Sequence, residues 1–254
     1  MIRKHVMPHK GKRDDVRWRS NDIHRIEALS DGVFAFAVTL LIVSLEVPKT
    51  FHELYDNFFV GMFAFLVGFG FLMLIWHDQY SFFRRYGLHD RLTIFWTAAL
   101  LFVVLFYIYP TKFLFTYLFS QNNIKVNGGY IKMVETVEDA RQLMMIYGLG
   151  FMLVYFILWQ TYSYALRKSA AIGLTLIEIF ITRTHTYRRL ILSIFGLLCI
   201  LIAYILPAED CGYAGYMLFL IFPALYIVSS IRRKRLKKLF TQEDIEAHYD
   251  FVHS

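Results

Sequence analysis

Charge is scarce in this chain, and so are cysteine and proline. Only 19% of its 254 residues are Asp, Glu, Lys or Arg, against about 25% in an ordinary soluble domain. Hydrophobic residues make up 57% and the mean hydropathy is +0.45. That balance argues against a soluble domain and for a polytopic helical membrane protein. There are two cysteines, Cys199 in an apolar run and Cys211 in a short loop. Their spacing offers neither a disulfide framework nor a thiolate metal site. Residues 1–25 are polar and basic and contain no apolar core of a signal sequence, so no cleavable signal peptide is expected. Catalytic patterns are missing too. His77-Asp78 and His89-Asp90 are adjacent pairs, which point in different directions on a helix. Neither comes with a nucleophile motif or zinc spacing, so no enzyme is expected.

What the chain has instead is apolar length. About 20 apolar residues cross a bilayer as a helix. Six segments meet or approach that length: 26–47, 58–80, 92–118, 143–166, 189–207 and 212–231. Pro207-Ala-Glu-Asp-Cys211 joins the last two as a tight hairpin, and Gly128-Gly129 after Asn127 marks a turn between the third and fourth. The run 170–181 holds Glu178 and is too short to span. It is expected to continue the fourth segment or to lie at the membrane surface.

The Lys and Arg residues divide unequally between the two sides that six spans define. Twenty-two fall on the side of the termini and five on the other (Lys49, Lys112, Lys125, Lys132 and Arg141). By the positive-inside rule both termini are cytoplasmic. The net charge of +7 therefore reflects topology and points to no nucleic-acid partner. The cluster Arg232-Arg-Lys-Arg-Leu-Lys-Lys238 reads first as a stop-transfer anchor touching anionic lipid. Outward loops carry eight acids, including Glu46, Glu53, Asp56, Glu209 and Asp210. They either concentrate cations or simply complement the inward bases. The expected division is a basic N-terminal segment (1–25), a six-helix membrane body (26–231) and a C-terminal tail that is basic, then acidic (232–254).

The first span is the most informative stretch. It is hydrophobic, yet it carries Ser30, Asp31 and Thr39. A carboxylate at membrane depth costs roughly 2.5–3.5 kcal/mol on insertion scales. On a helical wheel with Phe36 at zero and about 100° per residue, Leu40 falls at about 40°, Val43 at about −20° and Thr39 at about −60°. Asp31 falls at about −140°. The helix thus has an apolar seam of Phe36, Leu40 and Val43, with Thr39 on its shoulder, and an acid facing elsewhere. Such a seam serves ordinary helix packing, or it lines a pore that gates by dewetting.

Arg25-Ile-Glu-Ala-Leu-Ser-Asp-Gly32 resembles the Arg-x-x-x-Phe-Ser-Asp-Gly signature of the transmembrane protein 175 family, the potassium channels of lysosomes and their bacterial relatives. Val33-Phe-Ala-Phe-Ala-Val-Thr-Leu-Leu41 continues the likeness. Trp76-His77 and Pro110 are weaker matches. The resemblance implies a homotetramer in the bilayer, with a pore formed by the first helix of each subunit and no P-loop. It implies passive, modestly potassium-selective permeation of monovalent cations, no cofactor beyond the permeant potassium ion, and a multi-pass place in a bacterial inner membrane. Phe36, Leu40 and Val43 match the family's bulky constriction, and Thr39 a threonine linked to potassium preference. Arg25, Ser30, Asp31 and His77 match a polar network that holds the pore helix. Two departures stand out: Leu29 replaces the signature Phe, and Phe36 stands where Ile or Leu is usual. Arg25 falls beneath the seam, so either the helix bends near Gly32 or Arg25 reaches a neighbouring subunit. The competing reading is a secondary transporter that uses Asp31 as its coupling carboxylate. It sits poorly with the lack of internal repeats and with only two prolines inside the apolar segments proper, Pro110 and Pro223.

Overall fold

The described residues of the computed structural model form six long helices, a hairpin and a short C-terminal helix. It describes residues 16–20, 22–43, 51–120, 123–126, 129–207 and 220–253, without the side chains of residues 43, 52–54, 56, 57, 123–126, 129 and 249–253. In chain order these are α1 (Arg25–Val43), α2 (Phe51–Tyr86), α3 (Arg91–Ser120), β1 (Asn123–Val126), β2 (Gly129–Lys132), α4 (Val137–Arg167), α5 (Leu176–Ile205), α6 (Ile221–Leu239) and α7 (Gln242–His253). Among the described residues, four helices are long and apolar enough to cross a membrane: Phe58–Tyr86, Arg91–Ser120, Val137–Arg167 and Leu176–Ile205. The chain is thus a multi-pass membrane protein. Several expectations lie outside the described residues: the stretch 44–47, the connection 208–211 with Glu209, Asp210 and Cys211, the start of the sixth segment at 212, Glu46 and Lys49.

Hydropathy locates these helices, but capping sets their ends. Thr136 and Asp139 form a capping box at the start of α4: Thr136 N–H donates to Asp139 Oδ2 at 3.0 Å, and Asp139 N–H to Thr136 Oγ1 at 3.1 Å. Thr175 and Glu178 do the same for α5, at 2.9 and 3.3 Å. Each box satisfies two N–H groups that a helix start leaves open. Asp90 accepts from Thr93 N–H and Oγ1 at the head of α3, and Tyr164 donates to its other oxygen. Partial burial pushes the Asp90 carboxyl up, but the Tyr164 and Thr93 hydrogen bonds outweigh it and hold it below its ordinary value.

The run 170–181 departs from expectation. The fourth helix stops at Arg167, the chain turns through Gly173 at φ 64°, and Leu176 onward belongs to the fifth helix. A positive φ favours glycine, and the capping box restarts the helix two residues later. The second half of the run thus opens the fifth helix instead of continuing the fourth or forming a separate helix at the membrane surface, and Glu178 lies inside the protein. It is fully buried.

The hairpin pairs Val126 with Gly129, on either side of residues 127 and 128. The expected turn lies there, outside the described residues. In α3, Pro110 removes one N–H from the ladder. Beside it, the Thr111 hydroxyl donates to Tyr107 O at 2.8 Å.

The core runs between α1, α2, α3, α4 and α5, from Phe34, Ala37 and Leu41 through Leu72 and Leu100 to Val154 and Cys199. At the α4–α5 crossing Gly148 meets Gly196. A Cβ on Gly196 would stand 2.7 Å from Met152 N and 2.9 Å from Gly148 O. Small residues that let backbones approach are a common means of membrane-helix packing. Both obstacles are backbone, so Gly196→Leu is expected to cost about 1–3 kcal/mol. An unchanged detergent unfolding midpoint would contradict that close approach.

The ends of the bundle differ in chemistry. At one end the strap Val16–Ser20 lies over the ends of α2 and α4 and the start of α5. Val16 is fully buried, and Arg19 N–H donates to Arg84 O at 2.9 Å. The Arg19 side chain reaches Ile172 O, Gly173 O and both oxygens of Glu178, with Nη2–Oε2 at 2.6 Å. The Arg17 N–H also donates to Glu178, at 3.0 Å. Arg232 of α6 docks at this end too, against Phe180 and Thr184. At the other end Arg141 of α4 donates to Leu206 O just past α5. The starts of α1 and α5 and the ends of α2, α4 and α6 thus gather at the base-rich end.

Candidate pore helix and its polar brace

One face of α1 is sealed and the other is bare. Glu27, Ser30, Phe34, Ala37 and Leu41 are buried, each at 5% exposure or less. They recur every three or four residues, as one side of a helix must. Leu29, Asp31, Gly32, Ala35, Phe36, Thr39 and Ile42 are exposed on the opposite side, Phe36 at 57%. Leu40 is half-buried against the core. Only the backbone of Val43 is described. The bare face therefore centres between Phe36 and Thr39 rather than between Phe36 and Leu40. Arg25 is exposed and shares this face, because eleven residues bring a helix back within about 20° of its starting direction.

Thr39 has a defined hydroxyl. Its Oγ1 donates to Phe36 O at 2.7 Å. The proton is used within the helix, and the oxygen keeps acceptor capacity.

Ser30 and Asp31 of α1 are held by α2. The Trp76 indole N–H donates to Asp31 Oδ1 at 2.8 Å. Gln79 Nε2 donates to Ser30 Oγ at 3.2 Å, and Ser30 donates in turn to Ile26 O at 2.7 Å. Glu27 closes the helix start by accepting from His24 N–H at 3.1 Å. These groups line a small cavity between α1 and α2, together with Tyr80 and Arg84. Gln79 Oε1 is buried and makes no hydrogen bond among the described residues. A second polar tie lies deeper in the bundle. Arg189 of α5 is 4% exposed, pairs with Asp78 at 2.8 Å and lies 3.5 Å over the Tyr162 ring.

The expected network of Arg25, Ser30, Asp31 and His77 is thus brought together only in part. Ser30 and Asp31 are braced. Arg25 and His77 are exposed and form no hydrogen bond or ion pair among the described residues. The partner of Asp31 is Trp76, one residue before His77 and so about 100° away from it around α2. Gln79 and Glu27 were not singled out from sequence. The Gln79 position was readable, because i and i+3 share a helix face and put Trp76 and Gln79 together.

Asp31 acts through an acceptor oxygen, which asparagine also has. Asp31→Asn is expected to leave the unfolding midpoint within about 0.5 kcal/mol, whereas Asp31→Leu loses about 1 kcal/mol, the net worth of one hydrogen bond. Equal losses from both would mean that charge, not the hydrogen bond, holds the helix.

A curated potassium channel from Marivirga tractuosa is 30% identical over 241 residues, covering 90% of this chain and 95% of its own. The family described as endosomal/lysosomal potassium channel TMEM175 matches residues 25–107, which hold α1 and the brace. The chain belongs to the TMEM175 family. Within that family, a potassium channel from Chamaesiphon minutus is 34% identical over 105 residues, 37% of this chain and 50% of its own. The crystal structure of a threonine-to-alanine variant of the potassium channel MtTMEM175, in complex with a nanobody fusion, superposes with a TM-score of 0.72 at 29% identity. It covers 90% of this chain and 99% of that one. The TMEM175 homologue from Chamaesiphon minutus, described as lysosomal potassium-selective, shares the fold at a TM-score of 0.52 and 19% identity, with 82% and 96% covered.

Proposed function

We propose that this chain is a potassium-permeable cation channel, a homotetramer in which four copies of α1 surround the ion path. The observation that carries this reading is the two-sided character of α1. Its inner residues are sealed into the core and braced by Trp76 and Gln79, while the face holding Gly32, Phe36 and Thr39 is left uncovered by its own chain. In this reading the Phe36 rings form the narrowest, hydrophobic layer. Thr39, one turn along, presents hydroxyl oxygens in place of part of the ion's water shell, and Leu40 and Val43 flank the constriction. Arg25 reaches a neighbouring subunit from the same face, which its lack of a partner among the described residues supports. Asp31 braces α1 and takes no direct part in permeation.

The base-rich end faces the cytoplasm and the membrane is the bacterial inner membrane, as the positive-inside asymmetry supports. The body spans six times, with α1 and α6 joining the four long spans. A transporter built on Asp31 is disfavoured, because that carboxylate is engaged by Trp76 and α1 runs unbroken through Gly32.

Purified protein in vesicles should pass potassium faster than sodium, with no counter-substrate required. Its mass in detergent should be that of four chains. Strictly coupled exchange would overturn the channel, and a monomer would overturn the shared pore.

A further inference from the structure

At the base-rich end, α5 and α6 build a second feature that the ion path does not use. Arg232 directly follows the last apolar segment, yet it folds back onto α5. Its Nε donates to Thr184 Oγ1 at 3.0 Å and its Nη2 to Phe180 O at 3.1 Å. The guanidinium lies 3.9 Å over the Phe180 ring and 5.4 Å from that of Tyr187. Of its five N–H donors these bonds take two. Arg183 on α5 and Arg235, one turn along α6, are exposed and pair with no acid among the described residues. Burial, and the like charges of Arg183 and Arg235, hold Arg232 below its ordinary value.

Guanidiniums crowded without a counter-charge call for an anion, and the surroundings specify its kind. Tyr187 is 44% exposed beside Arg232, and Ile194, two turns along the same face of α5, is also 44% exposed. Bases above, an interfacial tyrosine at their level and an apolar track leading away match the layers of a bilayer leaflet. A soluble anion would have no use for the track. We propose that Arg183, Arg232 and Arg235 hold the phosphate of an anionic phospholipid, with the acyl chains lying along α5 past Tyr187. Guanidinium forks suit phosphate oxygens in geometry as well as charge.

Native mass spectrometry of the detergent-solubilised protein, with phosphatidylglycerol or phosphatidylcholine added, tests this. The protein should retain phosphatidylglycerol in preference. Arg183→Gln combined with Arg235→Gln should weaken retention about thirtyfold, two bases' worth of surface attraction. Lys237→Gln with Lys238→Gln should weaken it clearly less, because these exposed lysines sit about 120–140° around α6 from Arg232 and face away from the site. Arg232 is left intact because it ties α6 to α5, and an unfolding midpoint equal to wild type without lipid will show that the double variant is folded. Equal losses from the two pairs would reduce the feature to a diffuse basic field and overturn the site. So would equal retention of the two lipids. Stabilisation by inorganic phosphate to the same degree would overturn the lipid assignment.

Discussion

Glu178→Leu is expected to destabilise the protein by about 3 kcal/mol, the low end for removing one partner of a buried ion pair. Glu178 has no exposure, and its two oxygens serve the Arg19 guanidinium, the Arg17 N–H and the Thr175 N–H together. Leucine would strand all of these donors at once. The Arg19 side chain, 17% exposed, has no route to water that keeps the strap in place, because its own N–H is tied to α2. The double variant Arg19→Met with Glu178→Leu should recover most of the loss, since an apolar pair can replace a buried ionic one at little net cost. At this chain length 3 kcal/mol corresponds to a fall of roughly 6–12 °C in unfolding midpoint. A single variant that melts with wild type would show that the strap is dispensable. Because the strap leads directly into α1, the single variant should also lower ion flux per folded molecule.

How much of this was legible follows from the kind of signal each feature leaves. Apolar length located the long helices, since twenty apolar residues read the same in any context. It did not locate their ends: α5 begins 13 residues before its apolar segment at 189 because Thr175 and Glu178 cap it there. That box is a local motif and could have been read directly, but the intramembrane-length criterion set it aside as too short. The wheel set Asp31 and Phe36 about 140° apart, since helix periodicity fixes that angle; that Asp31 is exposed and tied to Trp76 depends on α2 and could not be read from it. It misplaced the middle of the bare face, which depends on Leu40 leaning into the core, a matter of tertiary packing. The partners of Ser30, Asp31 and Glu178 sit 49, 45 and 159 residues away. Distance along the chain hides such pairs from any one sequence. The resemblance named Trp76 and His77 together; within one chain it is Trp76 that meets Asp31, while His77 is exposed.

Phe36→Ala is expected to raise potassium flux at least about tenfold, equivalent to about 1.4 kcal/mol off the barrier, and to bring sodium and potassium rates closer together. If four Phe36 rings meet on the axis, they exclude water from the narrowest layer, and an ion crossing it must shed much of its shell with no oxygen to replace it. Alanine removes the ring and leaves the backbone of α1 where Ala37, Phe34 and Leu41 fix it, since none of those contacts involves the exposed side of the helix. Stability should therefore stay within about 0.5 kcal/mol, as for surface changes away from special features. That separates a pore effect from a folding effect. Phe36→Leu, closer to the residues usual in the family, should fall between the two. Thr39→Ala changes the next layer instead: it removes an oxygen without widening the constriction, so it should reduce potassium preference with less gain in flux. Should Phe36→Ala leave both flux and selectivity untouched in a stable tetramer, Phe36 faces lipid or a subunit seam, and the ion path must be sought on another face of the bundle.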